Sequence, residues 1–137
     1  MHPDYNRNKI LLLIDDSPFD LKINTKIADH SGLFDEVLAL SSGRAALAYL
    51  AESLSSPEKL PGLILLDIQM PEMNGFEFVE HYTQLPAWFR EKCVLAILSS
   101  TDDENDMRWI EQNPEIVSLV RKPLSPLVLQ QLMQYQK

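Results

Sequence analysis

Several apolar runs in this chain end abruptly in groups able to do chemistry. Ile10-Leu11-Leu12-Leu13-Ile14 runs straight into Asp15 and Asp16, and Leu63-Ile64-Leu65-Leu66 into Asp67. Val94-Leu95-Ala96-Ile97-Leu98 is followed by Ser99 and Ser100, and Ile116-Val117-Ser118-Leu119-Val120 by Arg121, Lys122 and Pro123. If one edge of a sheet gathers these ends, three carboxylates meet one ammonium. Carboxylates within about 5 Å repel by roughly 3 kcal/mol per pair at an effective dielectric near 20. A raised pKa or a bound cation must relieve that repulsion. An all-oxygen set with no His or Cys favours a hard divalent cation, and Mg²⁺ needs only one or two carboxylates and a carbonyl beside its waters. Carboxylate, cation, hydroxyl and ammonium are together the parts that hold a phosphoryl group, and an aspartate can itself attack phosphorus to form an acyl phosphate.

Singly, each group has a plainer explanation. An Asp after a strand is commonly a turn former or helix cap, a Ser there a turn residue, and a Lys a solvated charge. Four of five run ends carrying such groups make the joint coincidence harder to dismiss. Asp15 also suits a supporting or water-mediated role, and Ser100 suits a small-residue turn equally well. Arg121 reads as a solvated or partner-facing charge, and the Asp102–Asp106 acids as helix capping and solubility.

The elements that must bring these groups together are legible in the pattern. The four runs above and Val37-Leu38-Ala39-Leu40 are continuous rather than alternating, which suits strands covered on both faces. Helical spacing separates them: Phe19, Ile23 and Ile27; Leu47, Leu50 and Leu54; Phe78, Val79, Tyr82 and Leu85; Val128, Leu129, Leu132 and Met133. Each stripe is expected to bury one face on the sheet. The stretch from Asp103 to Gln112 is weaker, with Met107, Trp109 and Ile110. Ser17-Pro18 is a helix start, Thr101-Asp102-Asp103-Glu104 fits a capping box, and Asn113-Pro114 is a stop. Ser55 to Gly62 reads as a loop, and Ala87 to Lys92 as a connector carrying two large aromatics. Five strand–helix repeats predict an α/β fold: a parallel sheet with helices on both faces and a ligand site beyond the carboxyl ends of the strands.

Composition excludes other classes. The 137 residues are 45% apolar, consistent with one domain spanning 1–137 behind a polar tail at 1–8. Twelve basic residues against 20 acidic leave a net charge of −8, which argues against nucleic acid or an anionic membrane as partner. No apolar run has the length of a membrane span, and the polar start followed by Asp15-Asp16 is not a secretory signal. A single cysteine, Cys93, forms no intrachain disulfide and no cysteine metal cluster; a cytoplasmic location is expected.

With these residues in place, the chain resembles the receiver domain of bacterial two-component response regulators, including the stand-alone chemotaxis type. The resemblance covers about Lys9 to Tyr135. It rests on Ile10 to Ser17, on Leu65-Leu66-Asp67-Ile68-Gln69-Met70-Pro71-Glu72-Met73-Asn74-Gly75, on Leu98-Ser99-Ser100 and on Arg121-Lys122-Pro123. It implies the flavodoxin-like (βα)5 fold with strand order 2-1-3-4-5. It implies Asp67 as phosphoacceptor, with Asp16 binding Mg²⁺ directly and Asp15 directly or through water. Gln69 would offer its backbone carbonyl to the ion, Ser99 would hydrogen-bond the phosphoryl group, and Lys122 would pair with its oxygens. The Lys122–Pro123 peptide is often cis in the family. The implied partners are a sensor histidine kinase or phosphotransfer protein upstream and an unidentified protein downstream. The implied role is a phosphorylation-dependent switch rather than an enzyme.

Two departures stand out. Leu119 occupies the fifth-strand position where the family usually carries an aromatic switch residue. Asn113-Pro114-Glu115 follows the Asp103–Gln112 helix where a small or glycine-bearing turn is usual. Both bear on the face formed by that helix, the fifth strand and the last helix, the expected surface for a homodimer, with Trp109 either a partner anchor or partly buried in the core. A phosphorylation-independent interaction module with the same fold is the alternative, which absent Mg²⁺ binding would favour. An aspartyl phosphatase is disfavoured by Gln69 and the lack of a cap segment, and a flavin site by Asp15-Asp16.

Overall fold

A computed structural model of the protein describes residues 7–100 and 102–137. Residues 1–6 of the expected tail and Thr101 of the expected capping box lie outside the described residues. The elements are β1 (Ile10–Ile14), α1 (Pro18–Ser31), β2 (Glu36–Leu40), α2 (Gly43–Ser53), β3 (Leu63–Leu66), α3 (Gly75–Tyr82), α4 (Ala87–Arg90), β4 (Val94–Ser99), α5 (Glu104–Gln112), β5 (Ile116–Arg121) and α6 (Pro126–Met133). The five strands form one sheet in the order β2-β1-β3-β4-β5, with every pair parallel. This is the order that the resemblance implies.

The continuous apolar runs follow from two-sided burial. Successive residues of the inner strands point to opposite faces. Leu12, Ile14, Ile64 and Leu66 join one core with Phe78 and Tyr82, whereas Leu11, Leu13, Leu63 and Leu65 join another with Leu129 and Leu132. A polar residue at any of these positions would be stranded without water, so none occurs there.

Helix starts obey their caps. The side-chain oxygens of Ser17, Ser42, Asn74 and Ser125 accept hydrogen bonds from backbone amides in the first turns of α1, α2, α3 and α6. Asn74 and Glu77 complete a reciprocal capping box. Asp103 caps α5 by accepting from Asn105 and Asp106. Gly75, the first residue of α3, rests on Ile68: a Cβ there would meet Ile68 Cα at 2.6 Å. Only glycine lets this helix start so close to the strand it follows.

Two expectations need correction. The Phe19-Ile23-Ile27 stripe does not form the inner face of α1: Phe19 is 70% exposed and Ile23 38%, while Asn24 and Ala28 are the buried residues. Leu21 and Ile27 pack at the flanks. A small residue at the centre with larger ones at its edges lets a helix lie close to a sheet, so an apolar count alone pointed to the wrong face. The Ala87–Lys92 connector contains the one-turn helix α4, which buries Phe89 against Tyr82 and leaves Trp88 half exposed. Trp109 packs partly into the core, 4.4 Å centroid to centroid from Phe76.

Candidate functional site

Parallel pairing carries every strand's carboxyl end to the same edge. Ile14 pairs with Leu66, so Asp15 and Asp67 leave adjacent strands at one level. The Asp67 amide donates to the Ile14 carbonyl at 2.9 Å, and the Asp15 amide to the Leu40 carbonyl at 3.2 Å. Ser99 ends β4 opposite Arg121, and the Lys122 amide donates to the Ser99 carbonyl at 3.2 Å. Backbone hydrogen bonds therefore hold Asp15, Asp67, Ser99 and Lys122 at this edge independently of their side-chain contacts.

Oxygens of Asp15, Asp16 and Asp67 all lie within 4.8 Å of one another. Asp15 and Asp67 are buried and Asp16 is exposed, so the group opens to solvent on one side. Lys122 supplies the positive charge: its Nζ donates to Asp15 Oδ2 at 3.0 Å and stands 3.6 Å from Asp67 Oδ2. The Lys122–Pro123 peptide is cis. Asp67 Oδ1 accepts from the Gln69 amide at 3.0 Å, and Asp15 Oδ1 from the Ser17 amide at 3.0 Å. Ser99 is fully buried at this edge.

Burial pushes the Asp67 carboxyl up to about 6. The Gln69 amide and the Lys122 charge pull it down, and the neighbouring Asp15 pushes it up again. For Lys122, burial alone would lower the ammonium's pKa. Hydrogen bonds to Asp20 and Asp15, with the charges of Asp67 and Asp15, outweigh that and raise it above the ordinary lysine range. The repulsion expected from the sequence is thus present, and one ammonium relieves it only in part. Two buried carboxylates and an exposed one, all hard oxygen donors, fit a small divalent cation that keeps waters on its open side.

Asp15, Asp16, Asp67 and Lys122 converge as the run ends predict; Ser99 ends β4 at the same edge, tied to Lys122 through the backbone, and Gln69 reaches the site through its amide. The sequence reading missed Asp20, whose Oδ2 accepts from Lys122 Nζ at 2.9 Å. In the sequence Asp20 is an ordinary acid in the first turn of α1, and its partner lies 102 residues away along the chain. Arg121 pairs with Asp102 at 2.7 Å, with both side chains largely in solvent. Leu119 is half buried on β5, at the edge of the sheet.

The chain is similar in sequence and fold to known proteins. A family model described as the response regulator receiver domain matches residues 11–134. The response regulator Rcp1 of Synechocystis is 32% identical over 107 residues, spanning 76% of this chain and 71% of that protein. A two-component response regulator from Cytophaga hutchinsonii superposes with a TM-score of 0.83 at 30% identity, covering 92% of this chain and 94% of the other. A response regulator receiver protein from Dyadobacter fermentans gives 0.80 at 40% identity, covering 90% and 94%. The chain belongs to the response regulator receiver domain family, the signalling modules of two-component systems. Among the described residues, no helix is long and apolar enough to cross a membrane.

Proposed function

We propose that this receiver is a phosphorylation-dependent switch whose phosphoacceptor is Asp67. One observation carries the reading: Asp67 and two further carboxylates, Asp15 and Asp16, have oxygens within 4.8 Å of one another, and Lys122 Nζ stands 3.6 Å from Asp67 Oδ2. An incoming phosphoryl group there meets a nucleophile, a fixed cation and an opening to solvent. Asp15, Asp16 and Asp67, with the Gln69 backbone carbonyl, would hold Mg²⁺. When bound, that ion supplies charge neutralisation for the phosphoryl oxygens and lowers the pKa of the acceptor carboxyl.

The rest is done by the chain's own residues. Asp67, ionised, forms a bond to phosphorus as the bond from phosphorus to the donor's leaving group breaks. The Gln69 amide, bound to Oδ1, fixes the carboxylate's rotation. Lys122 pairs with the transferred oxygens, and the Ser99 hydroxyl donates to one of them. The Ser99 backbone carbonyl already accepts from the Lys122 amide, so a displacement of either residue is felt by the other. The donor is a phosphohistidine on a sensor kinase or a phosphotransfer protein. The face of α5, β5 and α6 is the surface whose partner binding changes, homodimerisation being one form of that output. Leu119 gives it a switch without the usual aromatic.

The test is phosphorylation by acetyl phosphate with Mg²⁺, read by intact mass. The wild-type chain should gain one phosphoryl group, which Asp67→Asn should fail to take up. Uptake that survives Asp67→Asn removes Asp67 from the role.

A further inference from the structure

Asp20 is a charged group in contact with the site to which the chemistry above gives no task. It lies in the first turn of α1, and its Oδ2 sits 2.9 Å from Lys122 Nζ. The same ammonium donates to Asp15 at 3.0 Å and stays 3.6 Å from Asp67. The first two distances are hydrogen bonds, and the third is an ion pair beyond hydrogen-bond length. An ammonium has three hydrogens. Two of them are directed to Asp15 and Asp20, which holds the charge beside Asp67 and off its oxygen.

The two acceptors differ in what losing the ammonium would cost them. The Asp15 side chain is 6% exposed, whereas that of Asp20 is 34% exposed. A carboxylate left unpaired in a buried place carries a heavy desolvation penalty, while one at the rim is taken over by water. Asp20 is therefore the partner that Lys122 can leave at low cost. A carboxylate oxygen bound directly to an ammonium has a lone pair engaged and its charge drawn off, so it attacks phosphorus less readily.

We propose that Asp20 is a positioning residue: it anchors the Lys122 ammonium beside Asp67, keeping the Asp67 oxygen available as nucleophile, and releases the ammonium to the phosphoryl oxygens once they arrive. Lys122 keeps Asp15 as its fixed pivot and exchanges only the outer partner. The inference rests on Asp67 being the phosphoacceptor.

The experiment measures phosphoryl uptake from acetyl phosphate at saturating Mg²⁺, by intact mass. In this reaction the bond from phosphorus to acetate breaks, the bond to an Asp67 oxygen forms, and acetate leaves. With only a neutral amide as its outer partner, the Lys122 ammonium is no longer held there by charge and closes onto Asp67, and Asp20→Asn should slow uptake about tenfold, the size of one charge-assisted hydrogen bond to the nucleophile. In a Lys122→Ala background the same change should alter uptake by less than about twofold, since the effect travels through Lys122. Carbon-13 NMR of the Asp67 carboxyl, assigned with Asp67→Asn, gives a second reading without donor. Asp20→Asn should shift that resonance in the wild-type background and leave it in place when Lys122 is Ala. This reading decides the matter should Lys122→Ala alone take up too little to measure. Uptake by Asp20→Asn as fast as wild type, or a slowing or resonance shift equal in both backgrounds, overturns the proposal. Absence of uptake by the wild-type chain is a different failure, that of Asp67 as acceptor.

Discussion

Asp67→Asn should stabilise the cation-free protein, and by an amount that depends on pH in a defined way. Burial holds the Asp67 carboxyl at about 6 in the folded chain against an ordinary value of 3.8. A folded-state pKa above the unfolded one means that the fold prefers the protonated form. The associated stability is fully present below the unfolded value and is lost as pH rises through the folded one. The full loss corresponds to about 3 kcal/mol, reached near pH 7.5, with about 1 kcal/mol already lost near pH 4.5. Asparagine has the same shape and does not titrate. Lys122 retains Asp15 and Asp20 as partners, so the substitution leaves no buried unpaired cation. The assay is urea unfolding of both proteins in chelator across that pH range. The stability of Asp67→Asn minus that of wild type should grow by about 2 kcal/mol between those two pH values, a midpoint shift of roughly 1 M urea. Taking the difference cancels the titrating groups remote from Asp67 and leaves its own titration together with its coupling to Asp15 and Lys122. A difference that stays flat across the range would refute the argument that burial of Asp67 strains the fold.

Further outcomes follow from the same geometry. Mg²⁺ at about 100 times its dissociation constant should stabilise the wild-type chain by about 2.7 kcal/mol, and Asp16→Asn should lose most of that gain, as read by thermal unfolding with and without the ion. Gly75→Ala should destabilise by about 1–3 kcal/mol, although alanine is the better helix former by about 1 kcal/mol, because its Cβ would press on Ile68; a gain in urea midpoint would contradict that packing.

Most of the fold was readable because continuous apolar runs and capped helix starts are local signals. β1 and β3 coincide with their runs, and β2, β4 and β5 extend them by one residue at an end. The convergence of Asp15, Asp67 and Lys122 was readable for a topological reason: parallel strands deliver their carboxyl ends to one edge. What escaped was set by tertiary distance. Asp20 looked like an ordinary first-turn acid, and only the path of Lys122 across the sheet edge gives it a partner. The exposure of Phe19 and Ile23 escaped because α1 meets the sheet through Asn24 and Ala28, where close approach outweighs apolar area. The α4 turn escaped because four residues are too few for periodicity to show.

The sheet parts the interior into two apolar compartments that share no side chains. Leu65 belongs to one and Leu66 to the other, and Asp67 comes next along the chain. Repacking in either compartment therefore reaches the same aspartate by its own route. Substitutions on opposite sides should combine almost independently in stability while both retune one reactive group. Such a partition lets a lineage revise the docking helices of one side without renegotiating the other, so long as the wall between them stays intact.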